Sequence, residues 1–130
     1  MLLTWRQLAS LLGPPGPMPP LVAWLSNPQA NDRRILLRAP QALTISRVDA
    51  VLSGGTSPSV SFSLRHGADV SAAGTAVTST PMTVTSTTTG DLFTGFQAAV
   101  IPADHWLWLE VSAVAGSPAE MTVSLGPQSS

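Results

Sequence analysis

The sequence predicts an all-β domain, an antiparallel β-sandwich or jelly roll of about eight strands, that carries an N-terminal arm. Short apolar segments recur roughly every 8–15 residues from Arg34 onward, separated by Gly, Pro and Ser/Thr turns. Several of them alternate apolar and polar residues with the two-residue period of a half-buried strand. No helical periodicity interrupts the series. Such spacing is typical of sandwiches and jelly rolls.

The composition favours one nearly neutral domain and disfavours nucleic acid and membranes as its partners. The 130 residues suffice for one domain with its own core, and the absence of cysteine excludes disulfides and thiolate metal sites. A net charge of −1 gives no field for nucleic acid, and no apolar run is long enough to cross a bilayer. Only 10% of the residues are charged, against roughly 25% in ordinary soluble domains. Such a surface suits a chain packed against copies of itself, although a neutral secreted-type domain is the alternative.

The first residues predict a short helix over residues 4–12. Thr4 is a favourable N-cap and Gln7 stands three positions later, as in a capping box. One apolar stripe follows at helical spacing, formed by Trp5, Leu8 and Leu12. A helix of about two turns is marginal alone. We therefore expect this stripe to bind a partner.

A proline-rich spacer, GPPGPMPP over residues 13–20, follows the helix and predicts an extended polyproline segment. Trp24 lies in a second apolar patch, which we interpret as another anchor of the same arm. The predicted organisation is an anchoring arm over residues 1–32, a β-sandwich over 33–126 and a C-terminal tail over 127–130.

The strands of the sandwich are predicted from segments of alternating apolar and polar residues and from the turn residues between them. In three of these strands the alternation clearly predicts which residues face inward. The inward residues are Val60, Phe62 and Leu64 in the first, Leu107, Leu109 and Val111 in the second, and Met121, Val123 and Leu125 in the third. The predicted segments are Ile35–Ala39, Leu43–Leu52, Ser59–Arg65, Thr75–Thr78, Met82–Thr87, Leu92–Phe96, Ala98–Ile101, Trp106–Ala113 and Ala119–Leu125.

Catalytic and metal-binding patterns are weak. The triplet at Arg65–Gly67 resembles the phosphohistidine loop of histidine phosphatases, with His66 as nucleophile and His105 as a second histidine. Asp69 stands where that motif has a cationic or amide side chain, and the helices of that fold are missing. A metal could be held by His66 with Asp69, or by Asp104 with His105, but neighbours on a strand point to opposite faces. We expect no enzyme activity, no metal and no cofactor.

Two tryptophans are compatible with more than one role. Trp106 and Trp108 share a strand face opposite the inward leucines. Outward aromatic rings could stack on a host glycan, pack under a neighbouring loop, or contact another subunit.

Several stretches resemble a β domain of tailed-bacteriophage structural proteins, found in small virion proteins and fibre-type proteins. The resemblance covers about residues 35–125, and its most specific part is the RHGxDxSAAGT loop. The stretches are ILLRAP (35–40), RVDAVLSGG (47–55), SFSLRHGADVSAAGTAV (61–77), TSTTTGDLFTGF (85–96), IPADHWLWLEVSAVAG (101–116) and AEMTVSL (119–125).

The resemblance implies a non-enzymatic protein on the virion surface, with no catalytic residues to carry over. The expected role is a capsid decoration or head-fibre protein, a homotrimer that binds a virion partner such as a major capsid protein. The alternative is a tail-fibre or receptor-binding tip that recognises a host surface glycan.

Overall fold

The computed structural model describes residues 21–78, 80–96 and 100–129, with the backbone alone over 127–129. The predicted helix over 4–12 and spacer over 13–20 lie outside the described residues, and so do the anchors Trp5, Leu8 and Leu12. Ten strands are present in the described ranges: β1 Leu21–Ser26, β2 Arg33–Arg38, β3 Leu43–Ser53, β4 Ser59–Gly67, β5 Thr75–Ala76, β6 Met82–Val84, β7 Asp91–Phe93, β8 Val100–Ile101, β9 Trp106–Ala115 and β10 Glu120–Ser129.

The strands form two antiparallel five-stranded sheets, which confirms the predicted sandwich. Sheet A has the order β1-β10-β3, with β7 and β8 both pairing the far side of β3. Sheet B has the order β2-β9-β4, with β5 and β6 both pairing the far side of β4. In these ranges no helical segment has the length and hydropathy needed to cross a membrane.

The core lies between the sheets and is built by the two-residue period of the long strands. In β4 buried and half-buried residues alternate along the whole strand, which confirms Val60, Phe62 and Leu64 as inward. The Phe62 ring meets Phe93 edge to face, with ring centroids 6.2 Å apart. The other predicted inward residues are also buried: Leu107, Leu109, Val111, Met121, Val123 and Leu125.

The sandwich extends further at both ends than the sequence predicts. Residues Leu21–Ser26, assigned to the arm, form β1 and pair with β10 in sheet A. Their apolar run hides the alternation, since Ala23 and Leu25 are buried while Val22 and Trp24 face outward. At the other end, residues 127–129 of the predicted tail continue β10 along β3 after a register shift at Gly126/Pro127.

Truncating a side chain in this core should destabilise the fold. We expect Leu109→Ala or Phe62→Ala to lower the free energy of unfolding by about 2–5 kcal/mol, through lost apolar contacts and a residual cavity. Leu92→Ala, at a position 56% exposed, is the matched control and should change it by less than about 0.5 kcal/mol. Chemical denaturation measures all three, and equal losses at Leu109 and Leu92 would contradict the assigned faces.

Candidate functional site

The outer face of sheet B carries two tryptophans, three arginines and one glutamate. The register places Glu110 of β9 between Arg33 of β2 and Ser63 of β4. One pair further along, Trp108 stands beside Ile35 and Arg65. Because alternate residues of a strand share a face, six outward side chains form one surface, which we call the tryptophan face. Its members are Arg33, Arg38, Arg65, Trp106, Trp108 and Glu110.

Trp108 is fully buried although it points away from the core. The guanidinium carbon of Arg33 lies 4.6 Å from the centre of the indole ring, a stacked cation–π contact. The loop over residues 68–74 covers another side of the ring. A Cβ atom added at Gly74 would lie 2.6 Å from the Cη2 atom of Trp108, and one at Gly67 3.4 Å from it. Trp108 is therefore packed under a loop and is not available to a ligand.

Two arginines hold that loop in place. Arg33 donates a hydrogen bond to the carbonyl of Val70, and Arg65 donates one to the carbonyl of Ala73 over 3.2 Å. Both guanidinium groups also share the carboxylate of Glu110, at 3.0 Å from Arg65 and 3.9 Å from Arg33. Partly exposed ion pairs contribute little by themselves. The carboxylate mainly orients the two arginines toward the loop carbonyls.

Trp106 remains half-buried and is the accessible aromatic ring of the tryptophan face. The guanidinium carbon of Arg38 lies 5.7 Å from the centre of the Trp106 ring, and Arg38 donates through Nε to the carbonyl of Asp104 over 3.3 Å. Ile35, which is 48% exposed, lies on the same outer surface of β2. The indole ring of Trp106 could stack on a sugar, and the guanidinium group of Arg38 could bind a carboxylate.

The outer face of sheet A has a different character. Val22, Trp24 and Leu92 are 44%, 61% and 56% exposed, and we call this surface the Trp24 face. Thr122 and Ser124 lie between them on β10. The charged residues beside them on β3 neutralise each other, since Arg47 binds both carboxylate oxygens of Asp49 at 3.0 and 3.1 Å. The predicted anchor Trp24 is therefore presented on a partly apolar sheet surface, beside the exposed Glu120 of β10.

The side chains of the phosphatase-like triplet point to opposite faces of the strand that carries them. Arg65 points to the outer face toward Glu110, while His66 points inward and is 6% exposed. Asp69 is turned to its own loop, where its carboxylate accepts hydrogen bonds from the backbone N–H and the hydroxyl of Ser71. These bonds lower the pKa of Asp69. The geometry does not bring a nucleophile, a phosphate-binding arginine and an acid together.

The two histidines do meet. Their Nδ1 atoms lie 3.1 Å apart, across 39 positions of sequence. Burial lowers the pKa of His66, and the nearby His105 lowers it further. No set of three or more metal-ligating side chains is assembled among the described residues. Both histidines stand out in the sequence, but their contact could not be predicted from it, because the contact depends on the register of β4 with β9.

The sandwich is similar to the solved structure of the CBM32 of AlyQ in complex with 4,5-unsaturated mannuronic acid. The TM-score is 0.53, and the match covers 80% of this chain and 75% of that one at 18% sequence identity. A likeness at this identity shows the fold alone. No protein-family model and no curated protein matches the sequence.

The fit of the loop over Trp108 can be tested with a matched pair of glycine substitutions. Gly74 and Gly95 both have positive φ, +72° and +75°, but no atom lies within 4 Å of a Cβ added at Gly95. We expect Gly74→Ala to cost more than about 1 kcal/mol of unfolding free energy beyond Gly95→Ala, because its methyl overlaps Trp108. Acrylamide quenching should also show a more accessible tryptophan in Gly74→Ala. Equal stability and quenching in both variants would show that the loop does not pack on Trp108.

Proposed function

We propose that this chain is a non-enzymatic structural protein of a tailed-bacteriophage virion, a capsid decoration or head-fibre protein anchored by its N-terminal arm. The observation that carries the proposal is the Trp24 face. It is an exposed sheet surface whose most prominent side chain, Trp24, lies four residues after the proline-rich spacer. The resemblance of the β domain to phage structural proteins supports the same role.

The chemistry of the Trp24 face suits attachment to a protein surface. Burying its apolar side chains is favourable by about 25 cal/mol per Å². Arg47 and Asp49 already pair with each other, so a partner need not leave either charge unpaired. Each copy would contribute a modest contact, and a lattice that binds the arm and the sheet together raises the effective affinity.

A homotrimer and a major capsid protein as partner belong to this proposal. Strand β1 lies at the edge of sheet A, and in the described ranges it pairs with β10 alone. Open edges are commonly covered in symmetric assemblies. The anchoring residues are Trp5, Leu8, Leu12 and Trp24.

Removal of residues 1–20 should abolish incorporation into particles and leave the sandwich folded. Trp24→Ser should weaken incorporation in the full-length chain, whereas Ile35→Ser, an exposed apolar change on the other sheet, should not. Particles assembled in cells that supply each variant are purified and their content of the chain is measured. Light scattering and thermal melting of the free proteins check mass and folding. Normal incorporation of the truncated, folded chain would refute the anchoring role.

A second candidate is glycan recognition, as in a tail-fibre or receptor-binding tip. Two observations favour it: the accessible Trp106 beside Arg38, and the likeness of the sandwich to a structure with a bound sugar acid. The indole could stack on the sugar ring while the guanidinium binds a carboxylate.

An oligosaccharide of mannuronic acid is the probe for this candidate. If the tryptophan face binds it, the sugar should change the intrinsic fluorescence and Trp106→Ala should abolish the change. Trp24→Ala, which alters the opposite sheet, should keep it, and isothermal titration provides an independent affinity. Absence of any response at millimolar sugar would remove this candidate for acidic glycans and leave the virion proposal untouched.

A further inference from the structure

The His66–His105 contact is a hydrogen bond between two like nitrogens. The Nδ1 atoms are 3.1 Å apart and the ring centres 5.3 Å apart, so the two nitrogens lie between the rings and face each other. Two imidazoles make this contact when one carries hydrogen on Nδ1 and the other presents a lone pair there. The contact therefore depends on a single shared hydrogen.

The hydrogen bond joins the end of β4 to the turn before β9. His66 lies near the end of β4, where the loop over residues 68–74 begins. His105 belongs to the turn before β9, and this turn is tied to the end of β2. The N–H of Ala39 donates to the carbonyl of His105 over 2.8 Å, and the N–H of Asp104 donates to the carbonyl of Ala39 over 2.7 Å. The two histidines thus connect the end of β4 to the turn before β9 and, through the backbone bonds of that turn, to the end of β2.

The charged groups around the two rings do not pair with them; Asp69, on the loop that follows His66, is turned to Ser71. In the described part of the chain no carboxylate lies within ion-pair distance of either ring. On β4 the nearest charge is Arg65, which faces outward. Beside His105 stand Asp104, which is exposed, and Arg38, which binds the Asp104 carbonyl. Strands β5 and β8 carry no charged residue.

We propose that His66 and His105 form an acid-sensitive latch that holds this end of the sandwich closed and releases it when both rings are protonated. A single added proton leaves one ring with a lone pair on Nδ1 and so keeps the hydrogen bond. A second proton leaves two N–H groups facing each other with like charges, so the bond cannot persist.

The direction of the pH effect follows from the buried ring. The pKa of His66 is lowered in the folded chain, first by burial and then by His105. The unfolded chain therefore binds protons more readily than the folded chain. The stability that the neutral ring contributes is present above the ordinary histidine value of about 6.5 and is lost as the pH falls below it. The first segments to loosen should be the loop 68–74 and the turn 102–105.

Hydrogen exchange between pH 7.5 and pH 5, corrected for the intrinsic pH dependence, tests the latch in the full chain with EDTA present. Protection of amides in residues 68–74 and 102–105 should fall by roughly two- to tenfold, the range expected for losing one hydrogen bond, while protection in the core of β9 is retained. His105→Gln, which keeps a polar partner but cannot be protonated, should reduce the pH dependence and leave the part that comes from burial of His66. His66→Phe should remove the pH dependence and serves if the first variant is unstable.

Long-range ¹⁵N spectra of the imidazole groups give a second readout. We expect one ring with hydrogen on Nδ1 and one with hydrogen on Nε2 at pH 7.5, and protonation of His66 only below the ordinary histidine pKa. Hydrogen on the same nitrogen position of both rings at pH 7.5, or loosening of both segments to the same extent in His105→Gln as in the native chain, would overturn the proposal.

Discussion

The pairing of β4 with β9 is the contact on which the other features of the molecule depend. It runs from Ser59↔Ala115 to Gly67↔Trp106, with one register shift near Phe62. The inner side of this pair supplies much of the core. Its outer side places Arg65 and Glu110 around Trp108, and its end brings His66 to the turn that carries His105. A slip by one residue would reverse all of these faces together, because the side-chain period of a strand is two.

At Trp108, the gain from burying an apolar ring opposes the cost of burying an unpaired N–H group. Its indole N–H is buried without an acceptor among the described residues, which costs about 1–3 kcal/mol. Burying an aromatic ring of about 150–250 Å² returns about 4–6 kcal/mol, and the stacked Arg33 adds to this. Apolar burial exceeds the polar cost, so the loop stays closed on the ring. Close packing against Gly74 is thus more important here than the exposed ion pairs.

Alternation in the sequence was sufficient to predict the sandwich and the inward faces of β4, β9 and β10, because each has one buried and one wetter side. It was insufficient for β1, whose outward residues Val22 and Trp24 are as apolar as its buried ones. The same rule separates Arg65 from His66 and already argues against a phosphatase site. Which loop covers Trp108, and which partner His66 meets, could not be predicted. Both depend on the register between strands and on the path of a loop, neither of which is encoded in a local pattern.

The two sheets present surfaces suited to different tasks. The Trp24 face is open, and its charges are one internal ion pair and the exposed Glu120, so contact with a protein would bury its apolar part with little desolvation cost. On the tryptophan face, Trp108 and the loop are already packed, and only the part around Trp106 and Arg38 remains accessible. Since these faces belong to opposite layers of the sandwich, a chain attached through sheet A would direct sheet B outward. Attachment and recognition are then compatible in one module, and Trp106 would remain accessible in the assembled state.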